Sequence, residues 1–235
     1  MSSKWSEYWA NYRRSAVDSE DDLFVQVGKT VDSRPIPQAT FDGMIERIVQ
    51  QLHLDGSDSL LDLCCGNGLV TFELARFVGE VTAIDFAVHL IESAKTRKAA
   101  PNIEYRVGDA CAVMAGPGVR VPTKILMNDA LAYFDPDSLA RLLDELKRMV
   151  GPAGFHFLLT GIPNEELKWN FYDTPERRER HLRNEGTERD VNDGLGRWWR
   201  AAELEALCRD RGLQVRTENQ PAEISRYRMD ALIWR

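Results

Sequence analysis

The sequence of 235 residues has only four cysteines and no apolar run near the ~20 residues that a membrane helix needs. The cysteines form no C-x-x-C pair and have no histidine at ligand spacing, which is unlike a zinc site. We therefore expect reduced thiols, no bound metal and no membrane partner. The first residues lack the apolar segment of a secretory signal, so we expect a cytoplasmic protein.

The sequence also lacks an excess of basic residues. Lys and Arg number 30 against 37 Asp and Glu, which gives a net charge of -7. An acidic surface repels phosphate backbones, so a nucleic-acid partner is disfavoured. Repeats and Gly/Ser-rich linkers are absent, and a content of 43% hydrophobic and 29% charged residues is typical of globular proteins. The length fits one large domain or one domain with an elaboration, and no pattern indicates the oligomeric state.

Short β-type runs alternate with helical runs along most of the chain. Strands are predicted over residues 59–64, 81–85, 103–107, 124–127, 155–159, 213–217 and 226–234. Helices are predicted over residues 38–52, 69–78, 87–98, 136–150 and 201–211. This alternation is typical of an α/β fold with a doubly wound, mostly parallel sheet and helices on both faces.

Two segments interrupt the alternation. Residues 163–194 are polar with balanced charges, which predicts a helical insertion that is either a solvated surface element or a cap over the site. Residues 1–37 contain an aromatic stripe at helical spacing, formed by Trp5, Tyr8, Trp9 and Tyr12. Four large aromatic side chains on one stripe rarely face water, so we expect the stripe to pack on the protein's own surface or to belong to a lid.

A glycine-bearing turn follows the predicted strand 59–64, with the sequence Cys65-Gly66-Asn67-Gly68. Such a turn places a ligand at the carboxyl edge of a parallel sheet, and glycine lets the ligand approach the backbone closely. A dinucleotide site would have the pattern G-x-G-x-x-G/A. Here the last position is Thr71, a β-branched residue where close helix packing favours Gly or Ala.

Acidic side chains end successive predicted strands: Asp62, Asp85, Asp109 and Asp129 with its neighbour Asn128. A carboxylate at Asp85 can accept two hydrogen bonds from a ribose diol, as in both nicotinamide and adenosylmethionine proteins. Asp109 is positioned to accept a hydrogen bond from an adenine amino group. An acidic edge repels a diphosphate and attracts an ammonium and a sulfonium, so it favours S-adenosylmethionine over NAD.

These residues resemble the first motif of the class I S-adenosylmethionine-dependent methyltransferases, D/E-x-G-x-G-x-G. Asp62, Cys64, Gly66 and Gly68 occupy its fixed places, and the resemblance covers about residues 38–235. Cys64 replaces the first glycine, and a D-L-x-C-G-x-G form is familiar among ubiquinone- and menaquinone-type members. The resemblance implies a seven-stranded sheet of order 3-2-1-4-5-7-6 with an antiparallel last-but-one strand.

The resemblance also implies S-adenosylmethionine as the cofactor and a set of cofactor-binding residues: Asp62, Cys64, Gly66, Gly68, Asp85, Phe86, Asp109, Ala110 and Asn128. Asp85 would bind the ribose hydroxyls, with Phe86 beside the adenine. Asp109 and Ala110 would contact the adenine edge, and Asn128 would lie by the methionine end.

The predicted function is methylation of a small-molecule acceptor on oxygen or nitrogen, with a sugar or natural-product intermediate as the candidate substrate. Asp129 and Tyr133 follow the fourth strand and are candidate catalytic residues, as a base or as an orienting group. Residues 1–37 could close over the site, with Gln26 as a polar contact and Lys29 as a partner for the cofactor carboxylate. Two alternatives stay open: an NAD-dependent oxidoreductase and a non-catalytic nucleoside-binding protein of the same fold.

Overall fold

The computed structural model describes residues 3–12, 19–31, 33–112, 121–186 and 195–235. The strands of its main sheet are β1 (Ser59–Leu63), β2 (Glu80–Asp85), β3 (Ile103–Val107), β4 (Lys124–Asn128), β5 (His156–Pro163), β6 (Gln214–Asn219) and β7 (Arg228–Trp234). Their order is β3-β2-β1-β4-β5-β7-β6. β7 is antiparallel to β5 and β6, and the other neighbouring pairs are parallel. The predicted fold class and strand order are confirmed.

Helices cover both faces of this sheet. Their bounds are α1 (Ser3–Asn11), α2 (Glu20–Gln26), α3 (Gln38–Leu52), α4 (Leu69–Leu74), α5 (Val88–Arg97), α6 (Pro136–Val150), α7 (Lys168–Phe171), α8 (Pro175–Asn184) and α9 (Ala201–Arg209). The bounds of α6 follow from its sequence: the Asp135 carboxylate accepts a 2.6 Å hydrogen bond from the Ser138 NH, and Pro136 leaves no NH to satisfy. Gly151 ends the helix with a positive φ of 62°.

Side chains of each strand alternate between two apolar cores, one on each face of the sheet. Leu61 belongs to a buried cluster that includes Leu142 of α6 and Leu204 of α9. Its neighbour Leu60 belongs to a second cluster, which includes Ile48 of α3. The sheet is therefore the middle layer of three, and loops at its carboxyl edge lie outside both cores.

Two element ends differ by more than two residues from the sequence-based prediction. α4 ends at Leu74 instead of residue 78, because the Asn102 side chain donates hydrogen bonds of 2.8 and 3.2 Å to the carbonyls of Ala75 and Val78. β5 continues past residue 159 to Pro163, because it pairs with β7 on both sides of a register shift. Both causes are long-range contacts. In the described ranges, no helix is both long enough and apolar enough to cross a membrane.

The segment before α3 forms α1, α2 and a short hairpin that pairs Thr30–Val31 with Arg34–Pro35. α2 is attached to the domain by Phe24, whose ring lies 5.0 Å from that of Phe41. The segment 163–194 contains α7 and α8, as its composition predicts, although residues 187–194 lie outside the described part. The division of the chain at residue 37 stays a prediction.

Candidate functional site

The loop between β1 and α4 holds three residues in the left-handed conformation. Cys64, Gly66 and Gly68 have φ angles of 60°, 58° and 77°. This conformation costs a residue with a side chain about 1–2 kcal/mol, whereas glycine adopts it freely. Cys64, which stands where the motif has its first glycine, thus adopts a backbone conformation that favours glycine. Its thiol packs against the core, and burial raises its pKa, which disfavours a nucleophilic thiolate.

The packing of the chain itself disfavours a side chain at Gly66 and Gly68. A Cβ atom at Gly68 would lie 2.4 Å from the Tyr105 hydroxyl oxygen, and one at Gly66 would lie 3.0 Å from Val27 Cγ1. The reason inferred from the sequence is close approach of a ligand to the backbone. Contact between this loop and a cofactor stays a prediction, and the structure adds a second reason for both glycines.

Asp85 ends β2 beside this loop and is 6% exposed. Its two carboxylate oxygens accept hydrogen bonds of 2.9 Å from the NH groups of Gly66 and Ala87. Burial raises the pKa of Asp85, and these two hydrogen bonds oppose that rise. A carboxylate has about four acceptor positions, so two bonds leave capacity for a ligand diol. The position predicted for ribose recognition is chemically suited to that task.

Asp62 lies in β1 below the loop and is 2% exposed. Its Oδ2 accepts a 2.6 Å hydrogen bond from Thr71 Oγ1. Burial is the main cause that raises the pKa of Asp62 to about 7, and the Thr71 hydroxyl opposes it. Thr71, which departs from the dinucleotide pattern, thus satisfies a buried acceptor that glycine or alanine would leave unpaired.

Residues at the end of β4 form a polar cluster with the N-terminal segment and β7, which we call the Asp129 cluster: Lys29, Asn128, Asp129 and Arg228. Lys29 Nζ donates hydrogen bonds to Asn128 Oδ1 at 2.9 Å and to Asp129 Oδ2 at 2.6 Å. Arg228 donates to the other carboxylate oxygen of Asp129. Lys29 is buried, whereas the other two charged groups are partly exposed. Lys29, the predicted partner of the cofactor carboxylate, therefore hydrogen-bonds to Asn128 and Asp129, which are also predicted site residues.

The two candidate catalytic residues have pKa shifts that oppose a role as a base. Burial raises the pKa of Asp129, but the charges of Lys29 and Arg228 outweigh it and hold the pKa below its usual value. Tyr133 belongs to a 3₁₀ turn, Leu131–Tyr133, where burial raises its pKa well above the usual range. At neutral pH the Asp129 carboxylate is therefore a weak proton acceptor, and the Tyr133 phenol stays protonated, so neither is suited to be a base. A catalytic role for either residue stays a prediction, and orienting a substrate suits both better.

Residues 27–29 cross the carboxyl edge of the sheet. Val27 lies against Gly66, and Lys29 reaches Asn128 at the end of β4. Asn67, within the glycine loop, is fully buried and donates hydrogen bonds to Leu23 O at 2.8 Å and to Gln26 Oε1 at 2.9 Å. Gln26 is thus fixed to the loop by its side-chain carbonyl, and the segment is attached at both ends of the edge.

The aromatic stripe of α1 packs over the same edge. The rings of Trp5 and Trp9 lie 4.7 and 5.3 Å from that of Tyr133. A Cβ at Gly28 would lie 3.7 Å from the Trp9 ring. Trp9 Nε1 is buried and has no hydrogen-bond acceptor in the described part of the chain. The stripe covers residues next to the predicted cofactor site, and its function as a lid stays a prediction.

The predicted adenine-binding residues lie along the same edge. Phe86 is half-buried after β2, and Ala110 is buried after β3. Asp109 is exposed, and its Oδ1 accepts a 2.9 Å hydrogen bond from the Cys111 NH, as in an Asx turn. The Gly108 NH donates to the Asp85 carbonyl at 2.9 Å, which joins the two strand ends. Contact of these residues with an adenine stays a prediction.

Sequence reasoning missed three residues of the site: Asn67, Thr160 and Arg228. Asn67 attaches α2, Arg228 pairs with Asp129, and Thr160 accepts hydrogen bonds from the Asn128 side chain and the Asp129 NH. Asn67 stood within the glycine motif and could have been singled out there. Thr160 and Arg228 reach the site only because β4, β5 and β7 are neighbours in the sheet, and no local pattern marks them.

The comparisons with known proteins agree with this geometry. Residues 60–154 match the family model described as Methyltransferase domain. The chain is 34% identical over 97 residues to the magnesium-protoporphyrin O-methyltransferase of Rhodobacter capsulatus. The matched region covers 40% of this chain and 42% of that protein. Residues 60–154 are therefore similar to a methyltransferase domain. The chain is also 28% identical over 130 residues to the demethylmenaquinone methyltransferase of Leptospira interrogans, and the matched region covers 51% of each protein.

The chain spans about half the length of the curated relatives that it matches. Solved structures match it over almost its whole length. The DhpI–SAH complex has a TM-score of 0.64 at 18% identity and covers 99% of this chain and 98% of that one. Magnesium protoporphyrin IX methyltransferase from Synechocystis with bound SAH has a TM-score of 0.58 at 14% identity, and the match covers 99% of this chain and 94% of that one. At these identities the likeness shows the shared fold.

Proposed function

We propose that this protein transfers a methyl group from S-adenosylmethionine to a small-molecule acceptor. The observation that carries the proposal is the Asp85 carboxylate at the end of β2, held by backbone NH groups beside a left-handed glycine loop. A diol-binding carboxylate next to a loop of this shape suits a nucleoside. The relatives named for magnesium protoporphyrin and demethylmenaquinone support a small-molecule acceptor.

The residues at the carboxyl edge fit this cofactor. Asp85 would hold the ribose, and Asp109 with Phe86 would hold the adenine. Asn128 and Lys29 would lie at the methionine end, where the ammonium of Lys29 suits a carboxylate. The buried donor Trp9 Nε1 would be satisfied by a ligand acceptor in the same region. When bound, the cofactor supplies a methyl group that is already activated on a sulfonium.

The chain's own residues would chiefly bind and align the acceptor. The methyl group needs no further activation, so correct positioning of an attacking oxygen or nitrogen supplies most of the rate enhancement. The segment 27–29 and the stripe of α1 would exclude water from the edge. Asp129, held between Lys29 and Arg228, would be a fixed hydrogen-bond acceptor for the substrate. Methylation on oxygen or nitrogen, a sugar or natural-product acceptor and a cytoplasmic location are part of this proposal.

Calorimetry with S-adenosylmethionine, S-adenosylhomocysteine and NAD tests the choice of cofactor. We expect both adenosyl compounds to bind and NAD to fail, because the acidic edge repels its diphosphate. Tight NAD binding would favour the oxidoreductase alternative instead. Labelled-methyl transfer to sugars, amines, phenols and RNA then separates an enzyme from a non-catalytic nucleoside-binding protein, since the latter binds the cofactor but labels no acceptor.

A further inference from the structure

Lys29 and Arg228 give one point of the carboxyl edge an excess of positive charge. Both cations bond to the single carboxylate of Asp129, so the Asp129 cluster carries one positive charge more than it neutralises. This sign is opposite to that of the whole chain, whose net charge is -7. A methionine end bound beside Lys29 would add no net charge, because its ammonium and carboxylate cancel. The excess therefore remains for a second ligand.

Arg228 is the cation of this cluster that is more open to a second ligand. Its side chain is 25% exposed, whereas that of Lys29 is 8% exposed. β7 runs antiparallel to β5, so Arg228, its first residue, lies at the carboxyl edge, where it pairs with Pro163. A guanidinium has five NH donors, which is more than its bond to Asp129 uses. Arg228 can therefore bind an anion while it stays paired with Asp129.

Half-buried aromatic rings border the Arg228 guanidinium. Its Cζ lies 5.4 Å from the centroid of the Tyr227 ring. The Tyr227 ring lies 4.9 Å from that of Phe171 and 6.0 Å from that of Trp198. All three rings are partly exposed, so the apolar part of a ligand would cover aromatic surface there. The surroundings of Arg228 therefore suit an anion that is carried on an apolar or aromatic body.

Asp129 and Tyr133 are poorly suited to take a proton from an acceptor. Asp129 bonds to Lys29 through Oδ2 and to Arg228 through Oδ1, so both carboxylate oxygens already face cations. These charges hold the pKa of Asp129 below its usual value, and burial raises the pKa of Tyr133, which stays protonated. An acceptor oxygen that is already an anion carries no proton and needs no base.

We propose that the methyl acceptor is an organic anion and that an oxygen of its carboxylate or phosphonate group is methylated beside Arg228. This assignment rests on the proposed function, because it names the acceptor class of that reaction. The guanidinium would hold one oxygen of the anion by charge-assisted hydrogen bonds, while another oxygen attacks the methyl carbon. The new bond joins this oxygen to the methyl carbon, and the carbon–sulfur bond breaks with its electron pair on sulfur. The products are a methyl ester and the thioether S-adenosylhomocysteine, and no proton is transferred.

The test uses wild-type protein saturated with S-adenosylhomocysteine and follows ligand binding by calorimetry. The probes are phenylacetate, benzylphosphonate and the uncharged phenylacetamide. We expect at least one of the two anions to bind, and the tighter one identifies the anionic group. Phenylacetamide keeps the ring and the size of phenylacetate without its charge. It should bind at least about tenfold more weakly than that anion, as for loss of a hydrogen bond to a charged group.

Arg228→Met removes the guanidinium and keeps an apolar stem beside Tyr227. It should weaken binding of the anion about 10- to 150-fold and change the affinity for phenylacetamide less than about threefold. A purely structural role would not produce this charge selectivity. Arg228→Lys restores the positive charge, so it should recover part of the lost affinity. Arg226→Met, at an exposed position two residues away, is the matched control and should bind the anion as the wild type does.

The comparison of the anions with phenylacetamide uses the wild type alone, so it stays decisive if Arg228→Met does not fold. The assignment is overturned if neither anion binds the saturated protein, if phenylacetamide binds as tightly as the anions, or if folded Arg228→Met binds the anion as tightly as wild type. With S-adenosylmethionine, the bound anion should become its methyl ester in mass spectrometry, and binding without ester formation would also overturn it.

Affinity of the wild type for S-adenosylhomocysteine is measured first. Its absence would contradict the proposed function, independently of the probe results.

Discussion

Lys29→Met tests how the N-terminal segment is attached over the site. The lysine is 8% exposed and bonds to Asn128 and Asp129 at 2.9 and 2.6 Å. Methionine keeps the length and apolar stem of the side chain and removes the ammonium. The substitution therefore removes one charge-assisted contact and little packing.

The expected loss of stability is about 1.5–3 kcal/mol, the range for a hydrogen bond to a charged group. Arg228 continues to pair with Asp129 in the variant, so the carboxylate is not left alone. The variant also avoids the cost of burying a lysine ammonium, which moves the expectation toward the lower half of that range.

The pH dependence provides a second readout. Lys29 and Arg228 hold the pKa of Asp129 below its usual value of 3.8. A depressed folded-state pKa stabilises the fold above the unfolded pKa, and this contribution is lost as the pH falls through the folded value. The difference between wild type and Lys29→Met should therefore be largest at neutral pH and shrink below about pH 4.

Urea unfolding at pH 7 and pH 3.5 measures both effects, with Lys98→Met as the matched control. Lys98 is equally buried, but its partner Glu20 at 2.8 Å is 62% exposed, so its ion pair should contribute less than about 1 kcal/mol. The reasoning is refuted if Lys29→Met loses no more stability than Lys98→Met at pH 7, or if its loss is the same at both pH values.

Three further predictions concern the same edge. Asp85→Ala should weaken affinity for S-adenosylhomocysteine about 10- to 150-fold in calorimetry, as for a lost bond to a charged acceptor, and unchanged affinity in a folded variant would contradict its role. Gly68→Ala should destabilise the fold by more than about 1 kcal/mol, because the φ of this residue is 77° and the new Cβ would meet Tyr105. Gly43→Ala, in open space within α3, should instead stabilise the fold by about 0.5–1 kcal/mol. Equal melting temperatures for the two variants would contradict this prediction. Deletion of residues 1–30 should leave a cooperatively melting domain without methyl transfer and with most cofactor affinity lost, and full turnover would show that the segment only packs.

Local patterns predicted the strands well because each has a short apolar run ended by a turn. The bounds of β3 and α6 agree with the sequence to the residue. The order of the strands came from the motif resemblance, since alternation alone does not state which strands are neighbours. Asp85 could be identified because a strand end and a glycine turn lie close in the sequence.

Long-range contacts could not be predicted in this way. Arg228 reaches Asp129 only after β7 inserts beside β5 in the sheet. Asn67 attaches α2 because a loop and a helix far apart in the chain meet. The burial of His181 depends on how α7 and α8 fold against residues 195–198, and a lone histidine in a charged segment gives no sign of it.

A crystal structure with S-adenosylhomocysteine tests the central claim most directly, that the carboxyl edge beside the glycine loop binds this cofactor. We predict that both ribose hydroxyls lie within about 2.6–3.2 Å of the Asp85 carboxylate oxygens, with the adenine beside Phe86. The ligand should lie beneath residues 27–29. A ligand bound elsewhere, or a ribose that makes no contact with Asp85, would contradict the account.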